Sequence, residues 1–277
     1  MIDNQDLNNR YNPEGSKLRK DQKELLNILL DLADICKKNN ITWWLSSGTL
    51  LGAARHEGFI PWDDDLDIVM LRKDFKRLDR LMRKYKNDEF VYHSMSTDIE
   101  YVHVFAKFRK REGDVESAYR RGKYYKWKGP FLDIFAIEKT SYFSARASSI
   151  IYNNVQHLTS YIRLKWVRQP LIVLINLLCF GIIIPILRLI GIINPKGEYH
   201  YVLGSGWGRH IFYEKNTFPL TMAKFEGEEF PVPHDVDAYL TTVYGDWRTL
   251  PTEEQIRKSF HCHDYIQEIY GDEINSK

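Results

Sequence analysis

Four aspartates, at positions 63, 64, 65 and 67, have the spacing in this chain that most directly predicts chemistry. On a strand that begins at Asp65, alternate side chains share a face, so the carboxylates of Asp65 and Asp67 would project together roughly 6–7 Å apart. Two carboxylates that close repel each other unless a cation lies between them. An ion that prefers oxygen ligands, Mg²⁺ or Mn²⁺ carrying the phosphates of a nucleotide, meets this need. We therefore predict a metal site here, with Asp63 as a third ligand or a residue behind the ligands.

Asp133 is a further acid in an unusual position, alone in the apolar segment GPFLDIFAI. A buried carboxylate without a partner is strongly unfavourable. If its strand lies next to that of Asp65 and Asp67, Asp133 completes a site of three carboxylates. The alternative is an acid of the core that is paired with a lysine or an arginine.

A Ser-Gly-Thr turn, Ser47 to Thr49, precedes the aspartates, with Thr49 sixteen residues before Asp65. The turn ends a predicted strand and opens a short helix, and the backbone N–H groups at the start of a helix attract phosphate. We therefore predict that Ser47, Gly48 and Thr49 contact phosphates. Four basic side chains could neutralise the same phosphates or could form surface ion pairs instead: Arg55, Arg72, Lys107 and Arg109.

Apolar residues recur along the chain with the periods of helices and strands. The patterns predict helices over 18–38, 49–55, 73–85 and 236–244. They predict strands over 41–45, 65–70, 90–95, 101–109 and 131–137. Helices and strands mix without a detectable repeat, so we expect an α/β (α+β) domain, a mixed sheet flanked by helices.

Composition changes after Thr140, and residues 171–193 form an apolar run long enough to cross a bilayer. Gly181 and Pro185 interrupt a helix near its middle, and Arg188 is unfavourable in hydrocarbon. Lysine and arginine flank both ends of the run, so no positive-inside asymmetry orients a span. We therefore predict a re-entrant or in-plane hairpin associated with a membrane. A true span and a buried core insertion are the alternatives.

The expected organisation is a flexible lead (1–17), a sheet core (18–140), an apolar helical insertion (141–200) and a C-terminal part of the same core (201–277). The formal net charge of +2 gives no electrostatic case for nucleic-acid binding. Three scattered cysteines and a polar N-terminus predict a reducing compartment and no secretion signal, hence the cytoplasm. Segment 119–128 is rich in basic and aromatic residues and could bind an anionic acceptor or be a solvated loop. We expect His261-Cys262-His263 to be a polar tail rather than a metal site.

The segment SGTLLGAARHEGFIPWDDDLDI, residues 47–68, closely resembles the defining motif of the LicD/fukutin family, a branch of the nucleotidyltransferase-fold superfamily. Residues 225–251, with their Tyr-Gly-Asp, resemble the C-terminal block of that family. The resemblance implies a nucleotidyltransferase-like sheet with a glycine turn, an acidic strand and a third acid. On this chain these are Gly48-Thr49, Asp65 with Asp67, and Asp133, the last being the loosest match.

The resemblance also implies transfer of a phospho-alcohol from a CDP-activated donor to a glycan, with release of CMP. LicD proteins proper look like phosphocholine transferases that modify teichoic acid, lipopolysaccharide or another polysaccharide, which suggests the cytoplasmic face of the membrane. We expect CDP-choline as donor, Asp63 or Asp133 as base, and an aromatic wall for the quaternary ammonium from Tyr124, Tyr125 and Trp127. The alternatives are CDP-ribitol or CDP-glycerol as donor, an inactive membrane-docked scaffold for glycan assembly, and a nucleotidylyltransferase that releases pyrophosphate.

Overall fold

A six-stranded mixed sheet forms the centre of the fold in a computed structural model that describes residues 4–115, 121–194, 196–260 and 263–271. The strands are β1 (Trp44–Leu45), β2 (Asp67–Leu71), β3 (Phe90–His93), β4 (Ala106–Lys110), β5 (Phe131–Lys139) and β6 (Tyr199–Tyr201). Their order is β1-β2-β5-β4-β3, and β6 also pairs with β5. Strands β2 and β5 are parallel, whereas the other pairs are antiparallel. The predicted mixed α/β fold is confirmed.

The register of the central strands brings polar residues to one face of the sheet. Asp67 of β2 lies opposite Asp133 of β5, and Lys107 of β4 lies opposite Asp133 on the other side. Because side chains alternate along a strand, these three share a face, and Ile68 and Ile134 point to the opposite face. Both isoleucines are fully buried, so the core fixes which face carries the acids.

Helices flank the sheet, and the longest of the N-terminal part is α2 (Lys17–Lys38). Its apolar residues recur at helical spacing and are buried, and the Ser16 hydroxyl accepts a hydrogen bond from the backbone N–H of Arg19 as its N-cap. Three further helices precede β3: α1 (Asn4–Tyr11), α3 (Ser47–His56) and α4 (Arg72–Met82). Helix α1 lies in the lead that we expected to be flexible, and its Leu7 and Tyr11 are buried.

Three strands begin later than the sequence patterns predict. Strand β1 has two residues rather than five, β2 begins at Asp67 rather than Asp65, and β4 begins at Ala106 rather than Tyr101. In each case the alternation of apolar residues extends beyond the backbone pairing. Asp65 therefore lies in the loop before β2 and not on the strand.

The C-terminal part returns to the same sheet domain. It contains α8 (Glu214–Thr217), the hairpin β7 (Thr221–Phe225) and β8 (Glu228–Val232), α9 (Val236–Tyr244), α10 (Glu253–Ser259) and α11 (His263–Tyr270). The hairpin turns at Glu226-Gly227, both with positive φ. Helix α9 has the predicted bounds and contacts α3, and β8 contacts β1. His261 and Cys262 lie outside the described residues.

The apolar insertion forms two long helical segments. They are α5 (Tyr142–Ser160) and a continuous helix made of α6 (Lys165–Leu178), a π-helical turn (Cys179–Ile183) and α7 (Ile184–Gly191). The helix break predicted at Gly181 and Pro185 is wrong: the π-helical turn absorbs the irregularity. Pro185 lies just after this π-helical turn, whose changed hydrogen-bond spacing accommodates a residue without a backbone N–H. The hairpin turn lies instead between α5 and α6, since α5 packs against both α6 and α7.

Candidate active site

The four predicted acids meet at one end of the parallel strands β2 and β5. Asp67 begins β2, Asp133 lies opposite it on β5, and Asp63 and Asp65 come from the loop between α3 and β2. Burial and the carboxylates of Asp65 and Asp133 raise the pKa of Asp67 well above its ordinary value. Burial and the neighbouring Asp65 and Asp64 do the same to the pKa of Asp63. The acids are therefore close enough to repel one another strongly.

A buried glutamine holds the acidic loop in place. The Gln22 side-chain amide of α2 donates to the backbone carbonyl of Asp63 at 2.8 Å, and its oxygen accepts a hydrogen bond from Asn12 at 2.8 Å. The loop joins the sheet where the backbone N–H of Asp133 donates to the carbonyl of Leu66 at 2.8 Å. Gln22 was not among the predicted site residues, although a polar residue on the apolar face of a helix is a signal that could have found it.

The predicted glycine turn packs directly on the acids. A Cβ atom at Gly48 would lie 2.6 Å from the Asp63 carboxylate, so only glycine permits this approach without displacing the acid. The Thr49 hydroxyl accepts a hydrogen bond from the backbone N–H of Asp67 at 2.8 Å, which ties α3 to β2. A hydrogen bond from Ser47 acts to lower the pKa of Asp67. The first turn of α3, with its N–H groups lacking intrahelical acceptors, thus lies beside the carboxylates.

Lys107 and Asp133 form an ion pair within the site. The Lys107 ammonium lies 2.8 Å from Asp133 and 3.2 Å from the ring centroid of Phe131, and the side chain is almost completely buried. Asp133 is thus paired with a lysine, the alternative that the sequence left open, while it still lies opposite Asp67. Lys107 is also the predicted basic residue that the structure brings directly among the acids.

The donor chemistry of the acids fits a hard divalent cation. In the part of the chain that the structure describes, no three His, Cys, Asp or Glu side chains are already arranged to hold a metal ion. Magnesium does not require such a cage, because it is usually bound by one or two carboxylates together with waters and substrate phosphates. Asp65 and Asp67 are the acids best suited to that role, since Asp133 is engaged by Lys107.

The structure separates the other predicted basic residues. Arg55, in the last turn of α3, donates to the carbonyl of Trp247 at 3.2 Å, and burial lowers its pKa. Arg72 follows β2 at the end remote from the acids and lies 3.4 Å from Glu138, so the structure does not bring it to the predicted phosphate site. Arg109 is fully buried and donates to the carbonyl of Gly129 at 2.6 Å.

An aromatic cluster lies next to the acids on the same face of the sheet. Phe135 follows Asp133 by two residues on β5, and Phe105 precedes Lys107 by two residues at the start of β4. Alternate residues share a face, and the Lys107 ammonium lies 5.6 Å from the Phe105 ring centroid. Two further rings complete the cluster: Tyr201 of β6 and Trp207 of the loop that follows it.

Trp207 covers the other three rings and reaches the surface. Its ring centroid lies 5.5 Å from that of Phe105, 5.1 Å from that of Phe135 and 5.9 Å from that of Tyr201. The side chain of Trp207 is 40% exposed, whereas the other three are buried. Its loop packs tightly on α5, because a Cβ at Gly208 would lie 2.4 Å from a backbone oxygen of that helix.

Two tyrosines that the sequence did not indicate also border the acids. Burial, Tyr239 and Asp67 raise the pKa of Tyr201, while hydrogen bonds to Ser47 and Ser46 oppose this rise. Burial and the carboxylates of Asp67 and Asp63 raise the pKa of Tyr244 at the end of α9. Tyr244 belongs to the Tyr-Gly-Asp sequence, which was a usable signal.

The three predicted aromatic ligands take other positions. The Arg168 guanidinium lies 3.6 Å from the ring centroid of Tyr124. Tyr125 is buried and its hydroxyl lies 2.8 Å from His103 Nε2. Trp127 packs 5.4 Å from the ring of His93. The rings that lie beside the acids are instead those of the aromatic cluster.

Part of the chain matches a known protein family. Residues 40–164 match the family model described as LicD/FKTN/FKRP, nucleotidyltransferase domain. This stretch is a LicD-family nucleotidyltransferase domain. It contains the glycine turn, all the candidate acids and Lys107, so the site described above is built almost entirely from the family domain.

Two relatives of this LicD-family domain have named activities. The lipopolysaccharide cholinephosphotransferase LicD of Haemophilus influenzae is 29% identical over 276 residues, which cover 91% of this chain and 97% of that protein. The human ribitol 5-phosphate transferase FKRP is 44% identical over 41 residues, which cover 15% of this chain and 8% of that protein. The similarity to LicD therefore extends over nearly the whole of both chains.

Proposed function

We propose that this chain transfers phosphocholine from CDP-choline to a cell-surface glycan, with release of CMP. Its class, a transferase of substituted phosphate groups, follows from the family and its named relatives. The observation that carries the choice of alcohol is the aromatic cluster beside the acids, because aromatic faces attract a quaternary ammonium group. The near full-length similarity to a cholinephosphotransferase supports the same choice.

The chain's own residues supply binding and positioning of the donor. The N–H groups of the first turn of α3 bind the phosphates next to the acids. The Lys107 ammonium stabilises negative charge that develops on the leaving CMP. Trp207, with Phe105 and Phe135 beneath it, binds the choline, which orients the phosphorus toward the acceptor hydroxyl.

Asp65 and Asp67 would hold Mg²⁺ or Mn²⁺ in this scheme. The ion would polarise the donor phosphates and neutralise the charge of the leaving group. Asp63 is the better candidate to accept the proton of the acceptor hydroxyl, because Asp133 is already engaged by the Lys107 ammonium at 2.8 Å.

A panel of CDP-alcohols with the purified chain, Mg²⁺ and a glycan acceptor tests the donor. We expect CMP release from CDP-choline well above that from CDP-ribitol or CDP-glycerol. A Trp207→Ala change should lower kcat/KM for CDP-choline by about 5–30-fold, since a desolvated cation–π contact contributes ~1–2 kcal/mol. Met222→Ala, which shortens an exposed side chain of β7 outside the apolar insertion, is the control and should leave the value unchanged.

The second candidate is the same chemistry with CDP-ribitol, supported by the short match to the ribitol 5-phosphate transferase FKRP. Faster CMP release from CDP-ribitol than from CDP-choline would establish it, and Trp207→Ala would then change little. Pyrophosphate release from a nucleoside triphosphate would instead indicate a nucleotidylyltransferase.

We place the reaction at the cytoplasmic face of a membrane. The acceptor would be lipopolysaccharide, teichoic acid or another lipid-linked polysaccharide. The apolar surface of α5, α6 and α7 supports a membrane location. The name of the Haemophilus relative supports lipopolysaccharide as the acceptor. A cell fractionation that finds the chain entirely in the soluble fraction would contradict this part of the proposal.

A further inference from the structure

The apolar insertion exposes most of the large hydrophobic side chains found on the surface. Eighteen of the 24 exposed large hydrophobic residues among the described residues lie between Tyr142 and Ile193. They recur every three or four residues along α6 and α7, on the side opposite the buried Ile172, Ile184 and Leu187. We call this exposed apolar surface of α5–α7 the docking face; its main residues are Phe143, Leu164, Trp166, Leu177, Leu189 and Ile193.

The charge of the insertion has one sign. Between Glu138 and Glu198 the chain contains seven lysines and arginines and no aspartate or glutamate. Arg163 and Lys165 are exposed on either side of Leu164 and next to Trp166, which is 75% exposed. Tryptophan and basic residues at the border of an apolar helical face are typical of binding at an anionic lipid interface.

Both ends of the apolar helix are fixed to the sheet domain. Near its start, Arg168 forms two hydrogen bonds to Glu100, at 2.8 and 2.9 Å. Near its end, Arg188 forms two hydrogen bonds to Glu138 of β5, at 3.0 and 3.1 Å. The two arginines are twenty positions apart, which corresponds to about 30 Å along the helix, the thickness of the hydrocarbon core. A span would therefore place one of these ion pairs on the far side of the bilayer, away from its own domain.

We propose that the docking face binds the surface of an anionic lipid bilayer, with α6 and α7 lying in the plane of the membrane rather than crossing it. This deepens the membrane location in the proposed function by naming the lipid charge and the geometry. Ser149 of α5 donates to the carbonyl of Gly206 at 2.8 Å, so the docking face is also connected to the loop that carries Trp207.

Co-sedimentation of the full chain with vesicles tests the inference. We expect strong binding to vesicles that contain phosphatidylglycerol, weak binding to pure phosphatidylcholine and a decrease as salt is raised. The pair Arg163→Gln and Lys165→Gln should weaken binding about fivefold for each charge removed. Equal binding to neutral and anionic vesicles, or no binding to either, would overturn the proposal.

Further variants test the contribution of the apolar side chains to vesicle binding. Leu177→Glu with Leu189→Glu should reduce vesicle binding more than tenfold, whereas Met222→Glu on β7, also at an exposed apolar residue, should not. Vesicle binding by the unmodified chain already shows whether binding depends on lipid charge and salt. The proposal therefore remains testable even if the double variant does not fold. CMP release in solution by this double variant, without vesicle binding, would separate docking from catalysis.

Washing the vesicles with alkaline carbonate distinguishes a helix that lies in the membrane plane from one that spans the membrane. An in-plane helix should be released from the vesicles, and retention of the chain would demonstrate a span and overturn the in-plane arrangement. A concentration-dependent dimer that buries Trp166 and no longer binds vesicles would show that a second copy covers the docking face.

Discussion

The two ends of the parallel strands β2 and β5 differ in the balance of their charged residues. At one end Asp67 and Asp133 lie opposite each other, with Asp63 and Asp65 beside them and Lys107 as the basic partner that contacts Asp133. At the other end a single acid, Glu138, accepts hydrogen bonds from Arg188 at 3.0 and 3.1 Å and from the backbone N–H of Leu203 at 3.0 Å. Arg72 adds a contact at 3.4 Å.

The comparison separates charge that stabilises the fold from charge that serves a reaction. Glu138 is compensated within the chain, which is what an ion pair that holds elements together requires. At the other end Lys107 pairs with Asp133, and burial together with the neighbouring carboxylates raises the pKa values of Asp63 and Asp67. Groups with shifted pKa values that burial and like charges maintain are typical of functional sites.

The largest expected difference between the two ends is in catalysis. Asp67→Asn should lower kcat by about 100-fold or more, because it removes a carboxylate that would hold the divalent ion at the donor phosphates. Glu138→Gln, the same kind of change at the other end of the strands, should leave kcat per folded molecule within about twofold. Steady-state CMP release measures both, and a fully active Asp67→Asn enzyme would show that the acidic end has been misassigned.

The second difference concerns stability. Glu138→Gln should lower the free energy of unfolding by about 1–3 kcal/mol, because it leaves Arg188 and Arg72 without their carboxylate. Each kcal/mol corresponds to a decrease in Tm of roughly 2–4 °C in a chain of this size. Thermal unfolding followed by circular dichroism measures the change, with the exposed acid variant Glu254→Gln as control. An unchanged Tm would contradict the structural role of this end.

The third difference is that removing an acid at the acidic end should raise Tm rather than lower it, by an amount that depends on pH. Since the pKa of Asp63 is raised in the folded chain, this acid favours folding below its ordinary pKa of 3.8 and loses that contribution as pH rises. Asp63→Asn should therefore raise Tm by a few degrees at pH 8 in EDTA, and by less at pH 5. A lower Tm for Asp63→Asn at pH 8 would refute the repulsion between the acids.

Adding Mg²⁺ should raise the Tm of the unchanged chain, and Asp67→Asn should abolish that increase.

The smallest expected effect is that of Arg72→Gln on catalysis. Arg72 lies five positions after Asp67, which corresponds to roughly 16 Å along the strand. We expect CMP release to change by less than about twofold. A tenfold loss in kcat/KM without a change in Tm would return Arg72 to the phosphate site.

The sequence predicted the elements well because their signals are local. The apolar period of α2 and the buried run of β5 lie within single segments, so their positions could be read directly. Arg72 was misplaced because nearness along a strand is not nearness in space: the strand carries it to the opposite end. The pairing of Lys107 with Asp133 could be posed only as an alternative, since it depends on the register between β4 and β5.

The residues that were missed share a different cause. Tyr201 borders Asp67 and Trp207 packs on Tyr201, from a short strand and a glycine-rich loop that follow the apolar insertion, so no local pattern connects them with the acids. The pairing of β6 with the end of β5 is what returns the chain to the site. The hairpin β7–β8 was also missed, although its Glu-Gly turn is a local signal that could have indicated it.

The alignment of Asp67 with Asp133 also governs when the site can exist during folding. The two residues are 66 positions apart in the chain, and parallel neighbours of that kind form slowly because a long loop must close first. A slip of one residue between β2 and β5 would turn Asp133 toward the core and its apolar neighbours toward the acids. Nascent or misaligned chains therefore lack the alignment of Asp67 with Asp133 and Lys107, and the complete acidic site forms only once β2, β5 and β4 are in register.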